Sequence, residues 1–223
     1  EQLSSPILRQ LQDEKWERQR AYVARHSLFY QRKLGRCLEQ SLSLDGLQDL
    51  PFTDKEEIRH SQQSNYPYGD YIACRAEDVV RLHRTSGTTG RALILANTQN
   101  DLDIIAGQGG RGMYASGLRP SDRVVHCLNY CLWTGGVTDH MILEATGATV
   151  IPFGVGNTKL LIDTIVELGV TAISCTPSYP ALLEKVLRDE FDKLPRELEL
   201  RLALFGGEPG LDNPDFRRRM EER

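Results

Sequence analysis

The residues with the clearest chemical capacity run Thr85-Ser86-Gly87-Thr88-Thr89-Gly90-Arg91. Four hydroxyl groups fall within five positions, and each can donate to an anionic oxygen. Gly87 and Gly90 allow the backbone to fold tightly and turn its amides toward the same anion. Arg91 adds a fixed charge and a planar donor fork suited to phosphate oxygens. This is chemistry for holding a polyphosphate. It is not a Walker A loop, because the G-x-x-x-x-G-K-[ST] spacing is absent and the flanks read as strands. A Ser/Thr/Gly surface turn has the same composition, so the residues alone leave both readings open.

Three further segments follow apolar runs and carry polar or aromatic groups: Asn129–Gly136, Thr176–Tyr179 and Gly206–Gly210. Cys127 and Cys131 stand near His126 and His140, which raises a zinc site, but the spacing fits no finger or ribbon. Leu128, Leu132 and Trp133 surround the pair with apolar bulk, so buried thiols are expected and no metal ligand is assigned. No G-x-S-x-G elbow accompanies His83, His126 or His140, so each is expected to be a structural histidine.

The elements that must position these groups fall into two textures. Residues 1–78 read as a helical and loop-rich region. A helical stretch covers 5 to about 38, with Ser27 capping a second piece, and residues 45–78 are loop-rich around Pro51, Pro67 and Gly69. Thr53–Glu56 matches a capping box. Six Arg and Lys residues between Arg18 and Arg36 alternate with aromatics and acids, as on a solvated face packed on a core. Residues 79–223 read as an α/β portion. Val79–His83 and Ala92–Ala96 are strand-like around the glycine loop, and Thr98 with Asp101 opens a helix to about Ser116. Strands at 123–128, 148–152, 170–175 and 201–205 then alternate with helices at about 137–146, 158–168 and 179–190. Gly135-Gly136 is read as a turn and Gly169 as a helix stop. The fold class is therefore α/β, a mainly parallel sheet with covering helices after an N-terminal helical segment. In such sheets ligands sit off the carboxyl ends of the strands.

Composition sets the outer bounds. The chain has 223 residues, 40% hydrophobic and 26% charged, with 27 basic against 31 acidic side chains and a net charge of −4. That balance lacks the basic footprint of a nucleic-acid binder. No apolar run approaches the roughly 20 residues needed to cross a bilayer. The first 25 residues are rich in Glu, Gln and Arg, unlike a signal peptide, and five cysteines suit a reducing compartment. A cytoplasmic location is expected, with no nucleic-acid or membrane partner.

Thr85–Arg91 resembles the phosphate-binding loop of the adenylate-forming superfamily, [ST]-S-G-[ST]-T-G-x-P-K. More narrowly, the chain resembles the phenylacetate–CoA ligase family. Supporting stretches include Leu50–Lys55, Asn65–Gly69, Leu118–Arg123, Thr134–Gly136, Gly147–Pro152, Gly156–Thr158, Cys175–Tyr179 and Gly206–Pro209, in family order. The resemblance implies an incomplete N-terminal large domain of that fold. It further implies a two-step reaction: a carboxylate attacks the α-phosphate of ATP, and the thiol of coenzyme A then displaces AMP. ATP, Mg2+ and coenzyme A are implied, together with a small-molecule carboxylic acid, aryl or arylacetic such as phenylacetate, and a homodimer.

By the same resemblance Thr85, Ser86, Gly87, Thr88, Thr89, Gly90 and Arg91 hold ATP phosphates, and Gly207, Glu208 and Pro209 lie against the adenine. Tyr130, Cys131, Trp133, Thr134, Gly135, Gly136, Pro177, Ser178 and Tyr179 line the acid pocket. Tyr130 and Trp133 also suit a core, and Ser178 also suits a plain helix cap. Arg91-Ala92-Leu93 replaces the family's Lys-Pro-Thr, which keeps the charge and loses a proline and a hydroxyl. Cys131 takes a family glycine position and Trp133 a phenylalanine position, which reshapes the pocket. The family's catalytic lysine and C-terminal lid domain are expected beyond Arg223, so this chain alone is expected to be inactive. Two alternatives stand beside the ligase: a truncated non-catalytic nucleotide- or partner-binding homologue, and an adenylating enzyme that loads a carrier protein or modifies a cofactor.

Overall fold

The computed structural model describes residues 3–39, 43–85, 92–209 and 212–222. The chain divides into two compact units, Glu1–Gln99 and Asn100–Arg223. The division falls later than the 78/79 boundary expected from sequence texture, so the first two strands belong with the helical region. These strands, β1 (Val79–Arg84) and β2 (Ile94–Thr98), pair antiparallel in a sheet of their own.

In the first unit the expected single helical stretch is three helices: α1 (Ser5–His26), α2 (Leu28–Leu34) and α3 (Arg36–Glu39). Ser27 makes the first break. Its hydroxyl accepts from the Tyr30 amide at 3.4 Å and donates to the Tyr71 carbonyl at 3.0 Å. The basic face is less solvated than expected, since Arg20 and Lys33 side chains are mostly covered and paired with Glu17 and Glu57. Helix α4 (Lys55–Ser64) carries a capping box one residue later than Thr53–Glu56. Asp54 accepts from the Glu57 amide at 2.9 Å and Glu57 accepts from the Asp54 amide at 2.9 Å. Asp54 wins because a charged oxygen at the N-cap also meets the positive helix end. From α4, Gln62 clamps β2, accepting from the Ile94 amide at 3.1 Å and donating to the Ile94 carbonyl at 2.6 Å.

The second unit is α5 (Gln99–Ala115), β3 (Arg123–His126), α6 (Thr134–Glu144), β4 (Thr149–Pro152), α7 (Thr158–Glu167), β5 (Ala172–Cys175), α8 (Tyr179–Phe191), β6 (Leu202–Phe205) and α9 (Pro214–Glu221). The four strands are all parallel, in the order β4-β3-β5-β6. Val124 and Val125 are fully buried on opposite faces, as parallel strands covered on both sides require. Val125 and Ile173 pack on Leu161, Ile162 and Ile165 of α7 and Leu183 and Leu187 of α8. Val124 and Ala172 pack on Leu143 of α6, with Met113 of α5 alongside. Gly169 ends α7 at φ +54°, where a side chain would be strained, and so releases the chain into β5. Asp122, at the foot of β3, is buried and ties the sheet to its surroundings. It accepts from Thr171 Oγ1 at 2.8 Å, from the Arg119 amide at 2.8 Å and from Arg201 Nε at 2.9 Å.

Candidate functional site

The chain runs from β3 to β4 on one side and then crosses to β5 on the other. The strand order therefore reverses about β3, and the crevice off the carboxyl ends of β3 and β5 is where open α/β sheets bind ligands. Backbone bonds beyond the strands hold their exits in line: the Cys127 amide donates to the Ser174 carbonyl at 2.7 Å and the Gly206 amide to the Cys175 carbonyl at 3.2 Å.

Three loops meet at this edge. The Trp133 indole lies over Gly135 and against Gly207, because a methyl group on either glycine would stand 2.8 Å and 3.0 Å from ring atoms. The same point at Gly207 is 3.6 Å from the Thr176 side chain. Gly207 adopts φ +85°, a conformation glycine tolerates and other residues resist. The Glu208 carboxylate accepts from the Ser178 amide at 3.3 Å, just before α8, where the helix end favours negative charge. Ser178 occupies the cap position without a side-chain cap bond; its hydroxyl lies 3.4 Å from Thr176 Oγ1.

Gly135 and Gly136 do not form the expected turn; they lie in the first turn of α6. Gly136 is required by proximity. A methyl group there would stand 2.6 Å from Tyr130 Cα and closer still to the Asn129 carbonyl oxygen. Fully buried His126 pins this turn: Nε2–H donates to the Gly136 carbonyl at 3.0 Å and the Gly135 carbonyl at 3.2 Å, while Nδ1 accepts from Ser174 at 3.1 Å. Burial lowers its pKa below the ordinary imidazole value, against the two carbonyl bonds.

Tyr130 and Trp133 are half-buried and neither belongs to the buried core clusters. The Tyr130 hydroxyl bonds His140 Nδ1 at 3.0 Å, and His140 Nε2 bonds Glu144 at 3.2 Å. The sequence signals this chain of three solely through the i, i+4 spacing of His140 and Glu144 on one helix. Burial, then the charges of Cys127 and Glu144, push the Tyr130 phenol up to about 12. Tyr179 is drawn elsewhere, packing on the core under α7 and α8 with its hydroxyl 3.2 Å from Thr158 Oγ1. Pro177 is buried beside it, while Gly207, Glu208 and Pro209 are exposed.

Cys131 is exposed, contrary to the buried thiol expected, whereas Cys127 is buried. The expected apolar wall is incomplete because the backbone turns through φ +56° at Leu132 and leaves that side chain exposed. Burial and Cys175 push the Cys127 thiol far up, and burial and Glu208 push Cys175 up to about 12, so neither is a nucleophile at neutral pH. Among the described residues no group of three His, Cys, Asp or Glu side chains can hold a metal ion.

Ser86 to Arg91 of the hydroxyl-rich loop lie outside the described residues. Its two flanks are joined, since the Thr85 amide donates to the Leu93 carbonyl and the Leu93 amide to Thr85 Oγ1, each at 3.0 Å.

A parallel sheet wound both ways, with three polar loops gathered at its carboxyl edge, defines a ligand-binding α/β domain. The AMP-binding enzyme family matches residues 23–222, and the chain belongs to it. It is 38% identical over 215 residues to the phenylacetate-coenzyme A ligase of Thermus thermophilus, covering 94% of this chain and 46% of that protein. Against the phenylacetate-coenzyme A ligase of Pseudomonas putida it is 38% identical over 218 residues, covering 96% and 47%. The crystal structure of 2-hydroxyisobutyryl-CoA ligase in complex with 2-HIB-AMP and CoA superposes with a TM-score of 0.90 at 30% identity, over 99% of this chain and 47% of that one. The chain thus spans about half the length of the relatives it matches. No described helix is long and apolar enough to cross a membrane.

Proposed function

We propose that this chain supplies the ATP- and acid-binding part of an AMP-forming acid–CoA ligase acting on an aryl or arylacetic acid. The observation that carries the reading is the convergence of Trp133, Ser178, Gly207 and Glu208 from three loops at the switch point of the sheet. Thr85 to Arg91 bind the phosphates, with the Arg91 guanidinium neutralising charge that develops on them. Gly207, Glu208 and Pro209 form an exposed, side-chain-poor turn against which a flat purine can lie. Tyr130, Cys131, Trp133, Thr134, Gly135, Gly136, Pro177 and Ser178 shape the acid side, and Tyr179 supports them from the core. Bound together, ATP and the acid are held with the carboxylate near the α-phosphate, which turns a bimolecular attack into an oriented one. Coenzyme A is the acceptor in the second step, and magnesium accompanies the nucleotide.

Calorimetric titration with ATP tests the binding part. Saturable binding that falls about tenfold or more in Arg91→Ala, the loss expected for a charge-assisted contact, is the expected outcome. Absence of binding refutes it. The chemistry is tested by acid-dependent pyrophosphate release from a polypeptide that also carries the relatives' remaining half, with arylacetic acids as substrates. No release with any acid would count against the ligase.

A further inference from the structure

The Glu144–His140–Tyr130 chain has a direction. Glu144 can only accept when ionised, so His140 Nε2, at 3.2 Å from it, carries hydrogen. In the neutral ring Nδ1 is then an acceptor, and the Tyr130 hydroxyl 3.0 Å away donates to it. That leaves Tyr130 Oη with lone pairs and no hydrogen to offer. Tyr130 is half-buried in the loop that also carries Trp133, and its Cα packs against Gly136 in the first turn of α6. The His126, Tyr130 and His140 rings make mutual edge contacts at 5.5 to 6.4 Å, which fix the phenol's orientation.

We propose that Glu144 and His140 are positioning residues that turn Tyr130 into an obligate hydrogen-bond acceptor, and that the site selects carboxylic acids bearing a hydroxyl group. The proposal rests on the acid-ligase reading above and names a substrate class within it. A ligand hydroxyl donating to Tyr130 Oη extends the series ligand O–H to Tyr130, Tyr130 O–H to His140, and His140 N–H to Glu144, in which each bond polarises the next. An acid whose facing group is itself only an acceptor meets two opposed lone pairs.

The test is a ligand-observed NMR titration of the full 223-residue chain, with ATP present, at mildly alkaline pH. The probes are phenylacetate, mandelate and the three ring-hydroxylated phenylacetates. At least one hydroxylated acid is expected to bind about five- to tenfold more tightly than phenylacetate, the range of one net hydrogen bond. Tyr130→Phe and His140→Leu are expected to erase that margin. His140→Asn, whose amide oxygen can take the place of Nδ1, is expected to retain most of it, an outcome that a merely structural histidine would not produce. Tyr130→Phe removes a single oxygen and keeps the test decisive should His140→Leu fail to fold. Equal binding across the panel, or a margin that survives Tyr130→Phe, overturns the selection while leaving the ligase reading intact. No binding by any acid overturns both.

Discussion

Replacing Gly136 by Ala tests how the edge of the sheet is built. Gly136 is the third residue of α6, and alanine inside a helix is ordinarily favoured over glycine by about 1 kcal/mol. Packing opposes that gain. The new methyl would stand 2.6 Å from Tyr130 Cα and 3.0 Å from the Asn129 carbonyl carbon, with the carbonyl oxygen nearer still. All three atoms are backbone, so no side chain can rotate away. The chain from Cys127 to Trp133 must shift by several tenths of an ångström, against the His126 bonds that hold the α6 carbonyls. Overpacking of this kind costs about 1–3 kcal/mol, and a purely backbone obstacle places it at the upper end or slightly above. The net expectation is a loss of about 2 kcal/mol. Gly107→Ala is the matched control: it lies within α5, with nothing within 4 Å of the added methyl, and should gain about 0.5–1 kcal/mol. Urea denaturation followed by far-UV circular dichroism compares the two, and Trp133 fluorescence, read in a Trp16→Phe background that removes the other tryptophan, reports whether the loop itself has moved. A Gly136→Ala protein as stable as Gly107→Ala, with unchanged Trp133 emission, would refute the close approach of this loop to α6.

Asp122→Asn should cost about 1–3 kcal/mol, because the buried side chain would no longer offer a charged acceptor to Arg201, Thr171 and the Arg119 amide. Burial raises the Asp122 pKa, but the bonds from Arg201, Thr171 and the Arg119 amide outweigh it and hold the carboxyl below its ordinary value. Its stabilisation is therefore present above about pH 4 and lost as the pH falls further, so the gap between wild type and variant in chemical denaturation should close in acid. Asp139 has the opposite sign: burial pushes it up to about 6, so it weakens the fold as the pH rises through the range between its ordinary value and 6. Asp139→Asn should gain about 1–2 kcal/mol at neutral pH, an estimate reduced for a half-buried group, and nothing in acid. The ring of His126, with a pKa depressed by burial, should keep the NMR signature of the neutral Nε2–H tautomer below about pH 6.5, where free imidazole charges.

Much of the architecture was legible because it is local. Period and punctuation place the parallel strands and their helices to within a few residues, and the Ser27 cap and the Gly169 stop act through their own short side chain and lack of one. The order β4-β3-β5-β6 was not, since it depends on which apolar faces meet once α6 and α7 have folded back on opposite sides of the sheet. Misreading Gly135-Gly136 has the same origin. Two adjacent glycines signal a turn when only backbone freedom is considered, whereas here one is held by a neighbouring loop and the other by an indole. The chain from Tyr130 to Glu144 is not legible in the sequence, because a tyrosine in a loop and a histidine on a helix share no period.

The substitution of Trp for Phe at position 133 shows how a site's chemistry can depend on contacts the motif does not contain. As a motif, Trp133 only adds bulk to a pocket wall. In the fold its ring reaches Gly207, so the loop after β3 and the turn after β6 share one contact surface. A larger residue at 207 would strain a backbone at φ +85° and press on the indole together, and Glu208, the next residue, would lose its place beside the Ser178 amide. The acid side and the nucleotide side of the proposed site are thereby mechanically linked through a single aromatic ring. Shortening it with Trp133→Phe should alter the affinities for acid and for ATP together, whereas a ring that merely lines the acid pocket would alter the first alone.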